Sequence, residues 1–227
     1  MIKQLAAVSL VVLAGCSAGP TGDAPNLTAT LKTPVNVELK WHVTDKAAAG
    51  QVVEYANEER GEYTILDFLP LTRTTYQHTD LIPQTKFFYR VRPYYGTAST
   101  PVELTLPPGE LGETESEEWL QPSTRPGPPA RASVHDAQGA PTDFTVTMVH
   151  ANGVKLAWTD QTTDEQGFLI ELKADGAPDF ANVAMVDPNV NAFGLITQPE
   201  ERKATYRVRP YKFGEPTNIA QQTTGSS

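Results

Sequence analysis

Tyr89-Arg90-Val91-Arg92-Pro93 recurs as Tyr206-Arg207-Val208-Arg209-Pro210, 117 residues further along the chain. The same offset carries Leu39 to Leu156, Trp41 to Trp158, Gly50 to Gly167, Glu54 to Glu171 and Tyr76 to Phe193; near Pro83 and Pro199 it slips to 116. A constant offset over so long a stretch means two copies of one structural module. The chain must therefore fold into something that can be built twice from roughly 90 residues.

Each copy reads as β. Val37, Leu39, Trp41 and Val43 alternate with Glu38, Lys40 and His42, the pattern of a strand with one buried face. Val154, Leu156 and Trp158 repeat it against Lys155 and Thr159. Phe168, Ile170 and Leu172 alternate around Glu171, as Val53 and Tyr55 do around Glu54. In the recurring pentapeptides Tyr89 and Val91 share one face while Arg90 and Arg92 take the other. Asn152-Gly153, Asp175-Gly176 and Asp187-Pro188 separate such runs as turns. Short alternating strands without an amphipathic helix predict an antiparallel sandwich.

The run from Trp158 through Asp160, Asp164 and Gly167-Phe-Leu-Ile-Glu171, followed downstream by Tyr206-Arg-Val-Arg209, resembles a bacterial fibronectin type III domain. The resemblance covers about residues 25 to 107 and 127 to 222, the second copy more closely. It implies an all-β protein of two tandem immunoglobulin-like (fibronectin type III) β-sandwiches, with Trp158 on strand B, Gly167–Glu171 opening strand C and the YRVR run as strand F. Leu81-Ile-Pro83-Gln-Thr85-Lys-Phe87 is similar to the family's turn into strand F, which ends in a tyrosine bonded back to the backbone. Phe87 and Ala204 stand at that place here, so the resemblance implies that both copies lack this tyrosine corner.

The N-terminus reads as an address. After Lys3, Leu5–Leu13 is a nine-residue apolar run, long enough to reach only about 14 Å at 1.5 Å per residue. That suits a signal-peptide core and not a spanning helix. Leu13-Ala14-Gly15-Cys16 then resembles the lipobox of bacterial lipoproteins. This implies cleavage of residues 1–15 and a lipid on the Cys16 sulfur, the single cysteine of the chain. Two or three acyl chains hold such a protein on its membrane essentially permanently. Ser17 in place of Asp implies, by resemblance to enteric sorting rules, the outer membrane. The expected organisation is a signal peptide at 1–15, a tether at 16–26, a first sandwich at 27–107, an acidic and proline-rich linker at 108–126 and a second sandwich at 127–222.

Chemistry is sparse. One cysteine permits neither an internal disulfide nor a Cys-rich zinc site. A net charge of −9, from 18 basic and 27 acidic residues, would repel nucleic-acid phosphates. No nucleophile elbow, zinc helix, phosphate loop or dinucleotide fingerprint appears, so no catalytic residue, metal or cofactor is expected. Asp160, Asp164 and Glu165 lack the alternating spacing of a calcium loop and read as a solvated turn. His42 and His78 read as surface residues.

The ligand candidates are aromatic: Tyr94 and Tyr95, Tyr211 and Phe213 near the ends of the two F strands, and Trp119 in the linker. Such rings either close the end of a core or stack on a sugar or protein partner. Trp119 likewise has two readings, the flank of one module or a partner. The expected function is that of a non-enzymatic, lipid-anchored protein of the bacterial cell envelope. It would act as a protein-interaction or spacer unit toward an envelope protein, with a carbohydrate-binding accessory role as the alternative. Open sheet edges offer one contact route.

Overall fold

The computed structural model describes residues 26–43, 45–109 and 118–226; Cys16, the tether and residues 110–117 lie outside the described residues. The first copy contributes β1 (Leu27–Thr33), β2 (Asn36–Trp41), β3 (Gly50–Ala56), β4 (Thr64–Leu69), β5 (Thr75–His78), β6 (Lys86–Tyr95) and β7 (Val102–Thr105). From the second come β8 (Thr142–His150), β9 (Gly153–Thr159), β10 (Gly167–Ala174), β11 (Ala181–Val186), β12 (Ala192–Ile196), β13 (Lys203–Phe213) and β14 (Ala220–Thr223). The described helical segments are single 3-10 turns at Glu118–Leu120, Ala137–Gly139 and Pro199–Glu201.

The alternation read in the sequence sets which side chains face inward. In the first sandwich the sheet β1-β2-β5 packs on β3, β4 and β6 around Leu39, Trp41, Val53, Tyr89 and Val91. In the second, β12-β9-β8 packs on β10, β11 and β13 around Leu156, Trp158, Phe168, Tyr206 and Val208. Burying an aliphatic or aromatic side chain contributes about 1.5 to 3 kcal/mol, so these two clusters are the main stabilising terms.

The last strand of each copy does not stay at home. β7 follows β6 in the chain but pairs with β13, placing Val102 opposite Tyr206 and Leu104 opposite Ala204. β14 follows β13 but pairs with β6, placing Ala220 opposite Tyr89 and Gln222 opposite Phe87. Leu104 and Leu106 thus enter the second core and Ala220 the first. The F strands themselves meet antiparallel, Lys212 beside Tyr95 and Phe213 beside Tyr94, so one sheet runs through both sandwiches in the order β11-β10-β13-β6-β3-β4.

The two crossovers mirror each other. Ser99 N–H donates to Val208 O (2.8 Å) while Val208 N–H donates to Ser99 Oγ (3.1 Å). In the other copy Thr217 N–H donates to Val91 O (2.8 Å) and Val91 N–H to Thr217 Oγ1 (3.1 Å). Gly96 has φ +138°, and a Cβ there would collide with Pro210 O, so the first crossover hugs the other module's backbone. Beyond the crossover the C-terminal segment is sewn to the first sandwich. Leu27 N–H donates to Asn218 Oδ1 (2.9 Å), Asn218 Nδ2 to Leu27 O (3.0 Å), Thr224 N–H to Thr85 O (3.0 Å) and Gly225 N–H to Pro34 O (2.7 Å).

Sequence copy and structural unit therefore part company at the last strand. The ranges 27–107 and 127–222 delimit the copies, whereas each sandwich takes its closing strand from the other. On both sides of residues 110–117 the described chain is held by the second sandwich. Before them, Leu106 N–H donates to Arg202 O (2.7 Å). After them, Ser123 and Ala192 exchange N–H···O bonds (2.9 and 3.0 Å) along the edge of β12.

Two expectations need correction. His78 is not a surface residue: it points inward from β5, half-buried among Tyr55, Phe87 and Tyr89, with Nδ1 3.2 Å from the Tyr89 hydroxyl. The loop of Asp160 and Asp164 is not a free solvated turn. Asp164 accepts from Val134 N–H (2.8 Å), Ser133 Oγ (3.0 Å) and Lys212 Nζ (3.0 Å) and ties down the strap that leads into β8.

Cutting the chain at a protease site inserted between residues 110 and 117 should leave both halves co-eluting at the mass of the intact protein, and separating only in denaturant. Burial holds the His78 pKa below its ordinary 6.5. The unfolded chain therefore binds the extra proton first, and stability should fall as pH drops below about 6.5. His78→Leu, which copies Leu195 of the second module, should flatten urea-midpoint curves between pH 7 and 5.

Candidate functional site: the seam between the sandwiches

Of the aromatic candidates, Tyr94, Tyr211 and Phe213 come together and Trp119 does not join them. Tyr94 (5% exposed) and Tyr211 (7%) pack with Leu169, Phe68 and Phe213 in a small core of their own at the junction. Phe68 meets the Tyr94 ring edge-on at 5.5 Å and Phe213 in a stack at 6.4 Å; Tyr211 and Phe213 lie 5.0 Å apart. Burial pushes the Tyr94 phenol up to about 12. These rings glue one module to the other, and what Tyr94 and Tyr211 contact is protein.

Tyr95 takes the opposite face of its strand. Its hydroxyl donates to Asp45 Oδ2 (2.9 Å) and its ring lies 4.6 Å from His135. With Arg207 and Arg209 these residues line a cleft of about 620 Å3 between the bodies. The Asp45 carboxyl is held below its ordinary range by the Ala47 N–H and then by the Tyr95 hydroxyl. A carboxylate so stabilised is a poor proton acceptor at neutral pH.

The guanidiniums beside the cleft are engaged. Glu171 (5% exposed) accepts from Arg207 Nε (2.7 Å), Arg207 Nη2 (3.2 Å) and Arg209 Nε (3.1 Å). Arg209 Nη1 also donates to Gly96 O (2.6 Å), linking the cluster to the first module's crossover. Glu54 (4% exposed) repeats the pair with Arg90 Nε at 2.6 Å, and Arg92 Nε donates to Gly214 O (3.1 Å). Each outer arginine is capped by an aromatic face, Arg90 by Tyr63 at 3.9 Å and Arg207 by Phe180 at 3.8 Å. The arginine rows thus pair across strands, and two of them clasp the crossovers.

Trp119 lies on the flank of the second sandwich, in a slot above two glycines. A Cβ on Gly153 would come within 2.5 Å of its ring, and one on Gly194 within 2.6 Å of Leu120 Cα. Lys155 Nζ donates to Trp119 O (2.7 Å), and His150 lies 5.3 Å from the indole. Sequence reading passed over this slot, although Asn36 and Gln77 stand at the places of Gly153 and Gly194 in the first copy. It also passed over Thr217, Asn218 and Thr224, whose role depends on strand exchange. Cys16 lies outside the described residues. Among the described residues no group of three His, Cys, Asp or Glu side chains could hold a metal ion, and no helix is long and apolar enough to cross a membrane.

Removing Glu171 strands two guanidiniums, with the Arg209 side chain only 10% exposed; removing Glu54 strands Arg90, which is 24% exposed and able to rehydrate. Glu171→Ala should therefore cost about 3 to 5 kcal/mol in urea unfolding, and Glu54→Ala clearly less.

No protein-family model matches the chain, and no curated protein matches it. Among solved structures it is similar to a two-domain fibronectin type III segment of chicken tenascin, at 14% identity and a TM-score of 0.29, over 89% of this chain and 98% of that one. It is also similar to the FN1–FN3 domains of chicken CNTN1, at 12% identity and a TM-score of 0.29, over 89% and 67%. The all-β assignment rests on this chain's own strand pairing: two sandwiches, each closed by a strand from the other copy.

Proposed function

We propose that this chain is a non-enzymatic, lipid-anchored protein of the bacterial cell envelope, in which two sandwiches act as one rigid interaction unit. The observation that carries the reading is the double strand exchange. It joins the modules into a single body, so that loops from both present a surface of fixed geometry, and a preorganised surface loses less entropy on binding. The anchor is Cys16 of the Leu13-Ala14-Gly15-Cys16 run, and the net charge of −9 favours a partner with a basic face. The aromatic candidates bear on the carbohydrate alternative: Tyr94 and Tyr211 are buried in the seam, whereas Tyr95, Phe213 and Trp119 are partly exposed, Trp119 with its ring set in the glycine slot.

Residues 22–227, which include every described strand, immobilised and challenged in parallel with envelope extract and insoluble polysaccharides, should retain a discrete envelope protein. That retention should survive Tyr95→Ala and weaken at high salt. Specific retention on polysaccharide, lost in Tyr95→Ala or Phe213→Ala, would replace this reading with the carbohydrate one. In the native host Cys16→Ser should move the protein from the membrane to the soluble fraction; continued membrane retention would remove the lipid anchor.

A further inference from the structure

β6 and β13 are the same strand of one repeat, and β7 and β14 are the same strand again. Nothing in the hydrogen-bonding pattern of a β-ladder tells them apart. An unexchanged chain, with β7 folded back on β6 and β14 on β13, would form ladders of the same kind. Side chains must therefore choose between the two topologies.

On the face turned to the cores they differ sharply in size or polarity at one paired position of each strand. On the F strands Phe87 corresponds to Ala204 at the 117 offset; on the exchanged strands the ladder registers, not that offset, make Leu104 correspond to Gln222. At these positions the large residue of one strand meets the smaller or more flexible one of the other. Leu104 lies opposite Ala204, and packs on the second core beside Leu106. Gln222 lies opposite the buried Phe87, at the margin of the first core, where its half-exposed amide donates to Thr223 O (3.0 Å).

Unexchanged pairing would reverse both matches. Leu104 would be driven against Phe87, where the space is already filled by an aromatic ring. Gln222 would lie opposite Ala204, leaving volume unfilled and an amide against an apolar core. We infer that the pairs Leu104–Ala204 and Gln222–Phe87 form a volume lock that selects the exchanged topology over the unexchanged one. The same two F-strand positions are those at which both copies depart from the tyrosine-corner pattern.

The chain's single cysteine, Cys16, makes a cross-linking test clean once replaced by serine. Glu103 faces Thr205 in the exchanged register, and Gln221 takes the place of Glu103 in the unexchanged one. In the full-length Cys16→Ser chain, Glu103→Cys with Thr205→Cys should form an intramolecular disulfide, and Gln221→Cys with Thr205→Cys should not. Adding Phe87→Ala and Ala204→Phe should reverse that preference. Retention of the first disulfide by a traded chain that still shows near-UV dichroism of packed aromatics would overturn the inference, as would cross-linking of the second pair in the parent. A thermodynamic cycle covers the case in which the traded chain fails to fold. Gln222→Leu should lower Tm in the parent but raise it in the Phe87→Ala background, where it recreates the leucine–alanine match. Additive shifts would overturn the lock.

Discussion

Two residue pairs, Lys212 with Tyr95 and Phe213 with Tyr94, set the course of the whole chain. Where two F strands run on past their own sandwiches and meet antiparallel, whatever follows each strand emerges over its neighbour. From that meeting point β7 and β14 each cross to the other module. Gly96 passes within contact of Pro210, and Gly214 N–H donates to Pro93 O (2.8 Å), so the crossovers are themselves hydrogen-bonded to the opposite module. The seam core of Tyr94, Leu169 and Tyr211 fills the space this approach creates.

Charge follows the same arrangement. Two glutamates, each nearly buried, would be destabilising alone, and are tolerated because guanidiniums on the neighbouring strand lie within hydrogen-bond distance. The first arginine of each row completes its own sandwich. The second reaches a carbonyl of the crossover, at Gly96 or Gly214. Duplication has left the copies unequal in detail. Trp41 Nε1 donates to Gln51 Oε1 (2.8 Å), whereas Phe168 fills the corresponding place and the Trp158 Nε1 is buried without a partner. The Tyr89 hydroxyl has His78, and that of Tyr206 has none. By this measure the first copy has the better satisfied core.

Strand identity and facing were legible in the sequence because alternation and burial have the same period. Leu39, Trp41, Val53, Tyr89 and Val91, with their counterparts 117 residues on, all lie in the two cores. Strand partnership was not legible. A repeat reports which residues are equivalent, and equivalence is what makes β7 and β14 interchangeable in any argument from pattern alone. The signal that distinguishes them, small against large at 87, 104, 204 and 222, has meaning only once the register is known. The site candidates show the same limit. Aromatics at strand ends were recognised, but whether a ring faces solvent or a neighbouring module depends on a contact between segments more than a hundred residues apart. His78 illustrates the converse: it stands two residues beyond Tyr76, on the same half-buried face of β5, a register that a polar side chain does not announce.

The bonds that sew the C-terminal segment to β1 fix how the molecule would carry a load. Asn218 is joined to Leu27 at one end of β1, and Gly225 to Pro34 just beyond the other, so the two segments run side by side in the same direction. Tension applied between residues 26 and 226 would slide them past each other, and the bonds at both ends would have to break together instead of peeling in turn. The whole force would pass through the first sandwich. The second, although it contributes the strand under tension, would hang outside the line of force and remain folded until the first gave way.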